Sequence, residues 1–81
     1  MRLASMYFDG VPPDLDVGHV YLELKPSGTI LRAWTRTSRC VDPAVMPALQ
    51  AWVDSEIAME HSDLHATTPP LDVMRVSLHC S

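Results

Sequence analysis

Eighty-one residues with a 47% hydrophobic share describe one small globular domain, 1–81, with no room for a second core and too much apolar content for a disordered chain. Ten acidic against six basic residues leave a net charge of −4, which argues against a general phosphate binder or a protein drawn to anionic lipid. No apolar run approaches the roughly 20 residues of a membrane span, and the first nine residues turn acidic too soon for a signal peptide, so no membrane role is expected and the expected setting is the cytoplasm.

Leu3 to Phe8 reads as a first strand, ended by Asp9-Gly10 and Pro12-Pro13, because proline cannot donate to a ladder and glycine admits turn geometries. His19 to Lys25 alternates, with Val20, Leu22 and Leu24 on one face and His19, Tyr21, Glu23 and Lys25 on the other. Pro26-Ser27-Gly28 supplies a three-residue turn with Gly28 at positive φ, and a third strand follows from Thr29 to Thr37. Two registers compete for this hairpin. In the three-residue register Leu24 faces Ile30, Leu22 faces Arg32 and Val20 faces Trp34. A two-residue loop instead turns Leu31 and Ala33 to the core and exposes Trp34. The first is preferred, since burying an indole gains more than keeping an arginine wet.

Asp42-Pro43 is a helix start, a cap followed by a first-turn proline. Pro47 lies too deep for a continuous helix, so a short turn at Pro43 to Met46 is expected before a main helix from Pro47 to about His61. Val45, Leu49, Trp52, Val53 and Ile57 recur at helical spacing and form the stripe that packs on the sheet. Glu56 and Glu60 fall on the same side, so the last turns should overhang the sheet. After a polar loop from Ser62 to Pro70, Leu71 to Cys80 reads as a final strand with Met74, Val76, Leu78 and Cys80 on one face. Two cysteines, Cys40 and Cys80, do not make a disulfide framework; reduced, partly buried thiols are expected, with a bridge from the end of the third strand to Cys80 as the alternative.

The order is therefore β-β-β-α-β. The expected fold is a small single α+β domain: an antiparallel sheet of about four strands with one helix packed on one face. The uncovered face, with Tyr21, Leu31 and Ala33, would be left for a homodimer or a larger protein partner to bury.

Several clusters bear on chemistry. Glu56, Glu60, His61, Asp63 and His65 crowd into ten residues, and His61 and His65 at i and i+4 could share a helix face, with Asp63 or Glu60 completing a metal site. The same residues are what a solvated helix end contains. His79-Cys80, with Cys40 and His19, suggests a Cys–His pair but lacks a readable orienting group or oxyanion hole, and Cys80 fits an apolar alternation better. Asp14 and Asp16 fall short of a calcium loop and suit turn chemistry. The hairpin carries Tyr21, Lys25, Arg32, Trp34, Arg36 and Arg39, an aromatic and basic surface that could hold single-stranded nucleic acid; a solvated sheet edge with one buried tryptophan is the plainer reading, and direct nucleic-acid binding is not expected. There is no P-loop, G-x-G-x-x-G, G-x-S-x-G or C-x-x-C.

The leading expectation is a non-catalytic interaction protein, an inhibitor, antitoxin-like regulator or adaptor, needing no cofactor. Its partner-binding residues would be Tyr21, Arg32 and Arg36 on the sheet and the carboxylates of Asp54, Glu56, Glu60 and Asp63, which could occupy a basic groove on a protein that handles nucleic acid. The alternative is a metal- or small-molecule-binding protein using His61, Asp63 and His65. A third reading is a weak nucleic-acid binder through the basic hairpin.

Overall fold

The computed structural model describes residues 5–77 and Cys80. Strands β1 (Met6–Gly10), β2 (Val20–Leu24) and β3 (Ile30–Thr35) lead into a 3-10 turn at Pro43–Val45 and helix α1 (Met46–Ile57). A two-residue strand β4 (His65–Ala66) and a short helix α2 (Leu71–Ser77) follow. The strands form one antiparallel sheet in the order β3-β2-β1-β4, so the α+β class with a four-stranded antiparallel sheet is what the chain adopts.

β1 is shifted relative to its expected span: Leu3 and Ala4 lie outside the described residues, and the strand runs on through Asp9 and Gly10 to pair with Tyr21 and Val20. Gly10 is buried under Trp52 of α1, where a Cβ would come within 2.9 Å of the indole. The glycine that reads as a strand stop is thus also what lets the helix approach.

The β2–β3 turn forms as expected. The Gly28 N–H donates to the Lys25 carbonyl at 2.8 Å, the Lys25 N–H to the Thr29 carbonyl at 2.9 Å, and Gly28 sits at φ 91°. Leu24 faces Ile30, as the preferred register has it, but a bulge then skips Leu31. Beyond it Arg32 lies opposite Glu23, Ala33 opposite Leu22, Trp34 opposite Tyr21 and Thr35 opposite Val20. The pairings of Leu22 with Arg32 and Val20 with Trp34 are therefore corrected. One extra residue on β3, Leu31 at 43% exposure, leaves Ala33 on the core face and sets a guanidinium against a carboxylate on the other.

Asp42 caps the helical segment, its Oδ1 accepting from the Ala44 N–H at 2.9 Å, and a separate initial turn precedes α1 as anticipated, with Pro47 in the first turn of α1 rather than deeper in a continuous helix. Leu49 and Val53 are fully buried against Val20, Leu22, Leu24, Ala33 and Val41, which form the core. Burying each such side chain is worth roughly 1.5–3 kcal/mol. Gln50 fixes the helix to the hairpin: its Oε1 accepts from the Ile30 N–H at 2.9 Å, while Nε2 donates to the Gly28 carbonyl at 3.1 Å and to Asp54 at 3.0 Å. α1 ends at Ile57, one turn short of the expected His61.

The second sheet face is not bare. Trp34 points there and is nonetheless fully buried, with Tyr7 edge-on at 6.2 Å and Tyr21 tilted at 5.9 Å. α2 lies against β3. The expected final strand from Leu71 to Cys80 is a helix instead, with Leu78 and His79 outside the described residues. Its cause is local: the Met74 N–H donates to the Pro70 carbonyl at 2.9 Å, and Asp72 in the first turn and Arg75 in the last complement the helix dipole. The fourth strand is His65–Ala66, placed against β1 by Asp9–His65 and Phe8–Ala66 pairing and by a 3.0 Å bond from the Thr67 N–H to the Tyr7 carbonyl.

Cys40 and Cys80 are joined in a disulfide, with Cα atoms 5.2 Å apart, which corrects the expectation of reduced thiols. A turn after β3, with Ser38 at φ 66°, folds the chain back so that Cys40 pairs with Trp34. α2 returns the chain to that same strand.

Candidate functional site

The end of α1, the β2–β3 turn and the start of β1 enclose an open cavity of about 340 Å³. Its inner surface includes the half-buried Phe8 and Leu64 and the buried Leu24. Around it stand Met6, Ile57 and Met59, at 55%, 54% and 54% exposure. The helix ending explains this rim. The Ala58 N–H bonds to the Asp54 carbonyl at 3.3 Å and the Met59 N–H to the Glu56 carbonyl at 3.1 Å, closing the last turn and leaving Ile57 and Met59 uncovered. Gly28 completes the wall, because a Cβ there would come within 2.8 Å of Ile57 Cδ1.

Glu56 also lines this cavity and is only 4% exposed. It follows Leu49 and Val53 on the buried side of α1, at helical spacing. No hydrogen bond or ion pair reaches its side chain among the described residues. Its stem is buried, but neither carboxylate oxygen is among the buried, unpartnered side-chain atoms of the described residues, which are His19 Nδ1 and Trp34 Nε1, so the carboxylate still meets the water of the cavity.

The other expected partner-binding residues are divided between places. Asp54, Glu60 and Asp63 are exposed around the end of α1, and Asp54 accepts from Gln50. Glu56 is withdrawn from that set, so the four acids do not form one displayed surface. Tyr21 and Arg32 lie on the opposite sheet face and are engaged in packing. Arg32 Nε donates to Glu23 Oε1 at 2.6 Å and its guanidinium forms an ion pair with the same, buried carboxylate. Glu23 Oε2 accepts from Ser5 Oγ at 2.6 Å and more loosely from the Tyr7 hydroxyl at 3.5 Å. Burial, then the Glu23 charge, pushes the Tyr7 hydroxyl above its usual value of 10.0, partly opposed by Arg32. Tyr21 lies between Trp34, to which it is tilted, and His19, which meets it edge-on, and His19 reaches Asp9 at 3.7 Å. Arg36 is exposed after β3, where with Arg39 and His19 it borders a shallow groove.

The shared helix face for His61 and His65 is not formed. α1 stops at Ile57, and His65 belongs to β4, opposite Asp9. Among the described residues no three His, Cys, Asp or Glu side chains are grouped as metal ligands. The aromatic surface imagined for the basic hairpin is also altered, since Trp34 is buried and Arg32 is paired, leaving Lys25, Arg36 and Arg39 exposed.

Sequence reasoning missed Met6, Phe8, Leu24, Met59 and Leu64 as one cavity lining. The readable signal was Glu56 itself, an acid within an apolar helix stripe. Comparison with protein family models, with characterised proteins and with solved structures finds no significant match.

Proposed function

We propose that this is a non-catalytic protein-binding protein, an inhibitor, antitoxin-like regulator or adaptor, that engages a larger protein through the rim at the end of α1. The observation that carries this reading is the trio of exposed apolar side chains, Met6, Ile57 and Met59, standing around an open cavity. Exposed apolar groups beside a concave pocket are what a partner's anchor side chain buries, and polar residues around such a patch keep water out and set specificity. Asp54, Glu60 and Asp63 supply those polar residues and make the surroundings acidic, which favours a basic partner surface, including one built for nucleic acid. The second sheet face offers less, because its large side chains are already packed against one another.

Met59→Asp tests the reading, since it places a charge on the rim without touching the core. Protein from the native host captured on the wild-type chain at near-equal stoichiometry is expected to be lost with this variant, whose circular dichroism should be unchanged. Equal recovery on both proteins would remove the rim as the interface.

Among the described residues no helix is long and apolar enough to cross a membrane. A cytoplasmic site of action agrees with the Cys40–Cys80 bridge only if the bridge is transient or regulatory there, because cytosolic thiols are kept reduced. Thiol trapping at the moment of lysis decides this: alkylated Cys40 and Cys80 support the cytoplasm, and an intact bridge supports an oxidising compartment.

A further inference from the structure

We propose that the cavity at the end of α1 takes the lysine side chain of the protein partner, its ammonium on the Glu56 carboxylate and its aliphatic stem against Phe8, Leu24 and Leu64. This deepens the partner-binding reading above, and rests on it, by naming the chemistry of the anchor.

Three observations lead there. First, Glu56 is more than nine-tenths buried, lines the cavity, and has no hydrogen-bond or ion-pair partner among the described residues. Its oxygens are not among the buried unpartnered atoms, so the carboxylate is open to the cavity and to a cation that enters it. Second, the lining around it is apolar, and about 340 Å³ lies within the range of pockets that enclose small ligands or single anchors. An occupant must therefore be apolar along its length and cationic at its tip. Third, Lys25, the one cation among the lining residues, is exposed and makes no ion pair with Glu56.

Lysine fits these demands better than arginine. Its charge is compact, its stem is a plain methylene chain that packs on apolar walls, and a single carboxylate suffices for it, whereas the flat guanidinium fork is best met by several acceptors in a plane. The acids outside the cavity, Asp54, Glu60 and Asp63, add an attractive field for the approaching cation.

The test uses n-pentylamine as a mimic of the lysine side chain and n-pentanol as its neutral counterpart, each titrated into isotope-labelled full-length protein and followed by amide chemical shifts. Pentylamine should shift residues 24–28 and 56–64 and bind about tenfold more tightly than pentanol, the difference expected of one charge-assisted contact. Glu56→Gln should erase that preference while pentanol binding persists, and Lys25→Ala should leave the preference in place. Equal binding of the two probes, a preference surviving Glu56→Gln, or no shift at those residues overturns the proposal. Partner capture by Glu56→Gln is read alongside. Loss of the partner with both Glu56→Gln and Met59→Asp supports the lysine anchor. Loss with Met59→Asp alone overturns the anchor and leaves the rim as the interface. An amine preference with partner capture indifferent to both variants identifies a site for free small amines and overturns the lysine assignment.

Discussion

Removing the Cys40–Cys80 bridge, by reductant or by Cys40→Ser, is expected to lower the unfolding free energy by about 3–4 kcal/mol. The bridge joins residues 40 apart in sequence and closes a loop that contains α1, β4 and α2. Opening that loop in the unfolded chain restores conformational freedom in proportion to the logarithm of its length. For a domain of this size the loss is a large part of the roughly 5–15 kcal/mol by which proteins are stable. Urea unfolding with and without reductant measures it. Coincident curves would show that α2 is held by packing alone.

Trp34→Ala should be nearly as damaging, with an expected cost of about 3–5 kcal/mol in the same assay. The indole is fully buried between Tyr7 and Tyr21 on the face opposite α1, apart from the Leu49–Val53 core. Its removal leaves a cavity that two tyrosines, one of them also bonded to Glu23, have little freedom to fill. Trp34→Phe should cost much less. It keeps an aromatic ring in place and also deletes the indole Nε1–H, which is buried without a hydrogen-bond partner among the described residues. A Phe variant as unstable as the Ala variant would show that the indole N–H is satisfied after all.

The parts of the fold legible in the sequence are those set by local rules. Alternation of Val20, Leu22 and Leu24, the Pro26-Ser27-Gly28 turn, the Asp42 cap and the break at Pro47 all act over a few residues, and each appears where its chemistry put it. What was not legible depends on distant partners. The bulge at Leu31 brings Arg32 opposite Glu23, and no turn rule encodes it. β4 is two exposed residues, His65 and Ala66, whose reason to be a strand is the free edge of β1. Met74 and Val76 fit a strand alternation as well as a helix of seven residues, and the proline-led start with its dipole-matched charges decides for the helix. The cysteines reveal their pairing only once β3 and the end of the chain are side by side. At the site, Glu56 on the apolar side of α1 reads as a sign that the last turns overhang the sheet; it is instead enclosed by β1 and the hairpin turn, which lie far from it in sequence.

Amide hydrogen exchange on the protein alone and saturated with its captured partner tests the central claim most directly. Partner binding through the α1 rim predicts slowed exchange at residues 6–8 and 56–64, with Arg36 to Arg39 unchanged. Protection confined to Arg36 to Arg39, with the end of α1 exchanging as in the free protein, would contradict it.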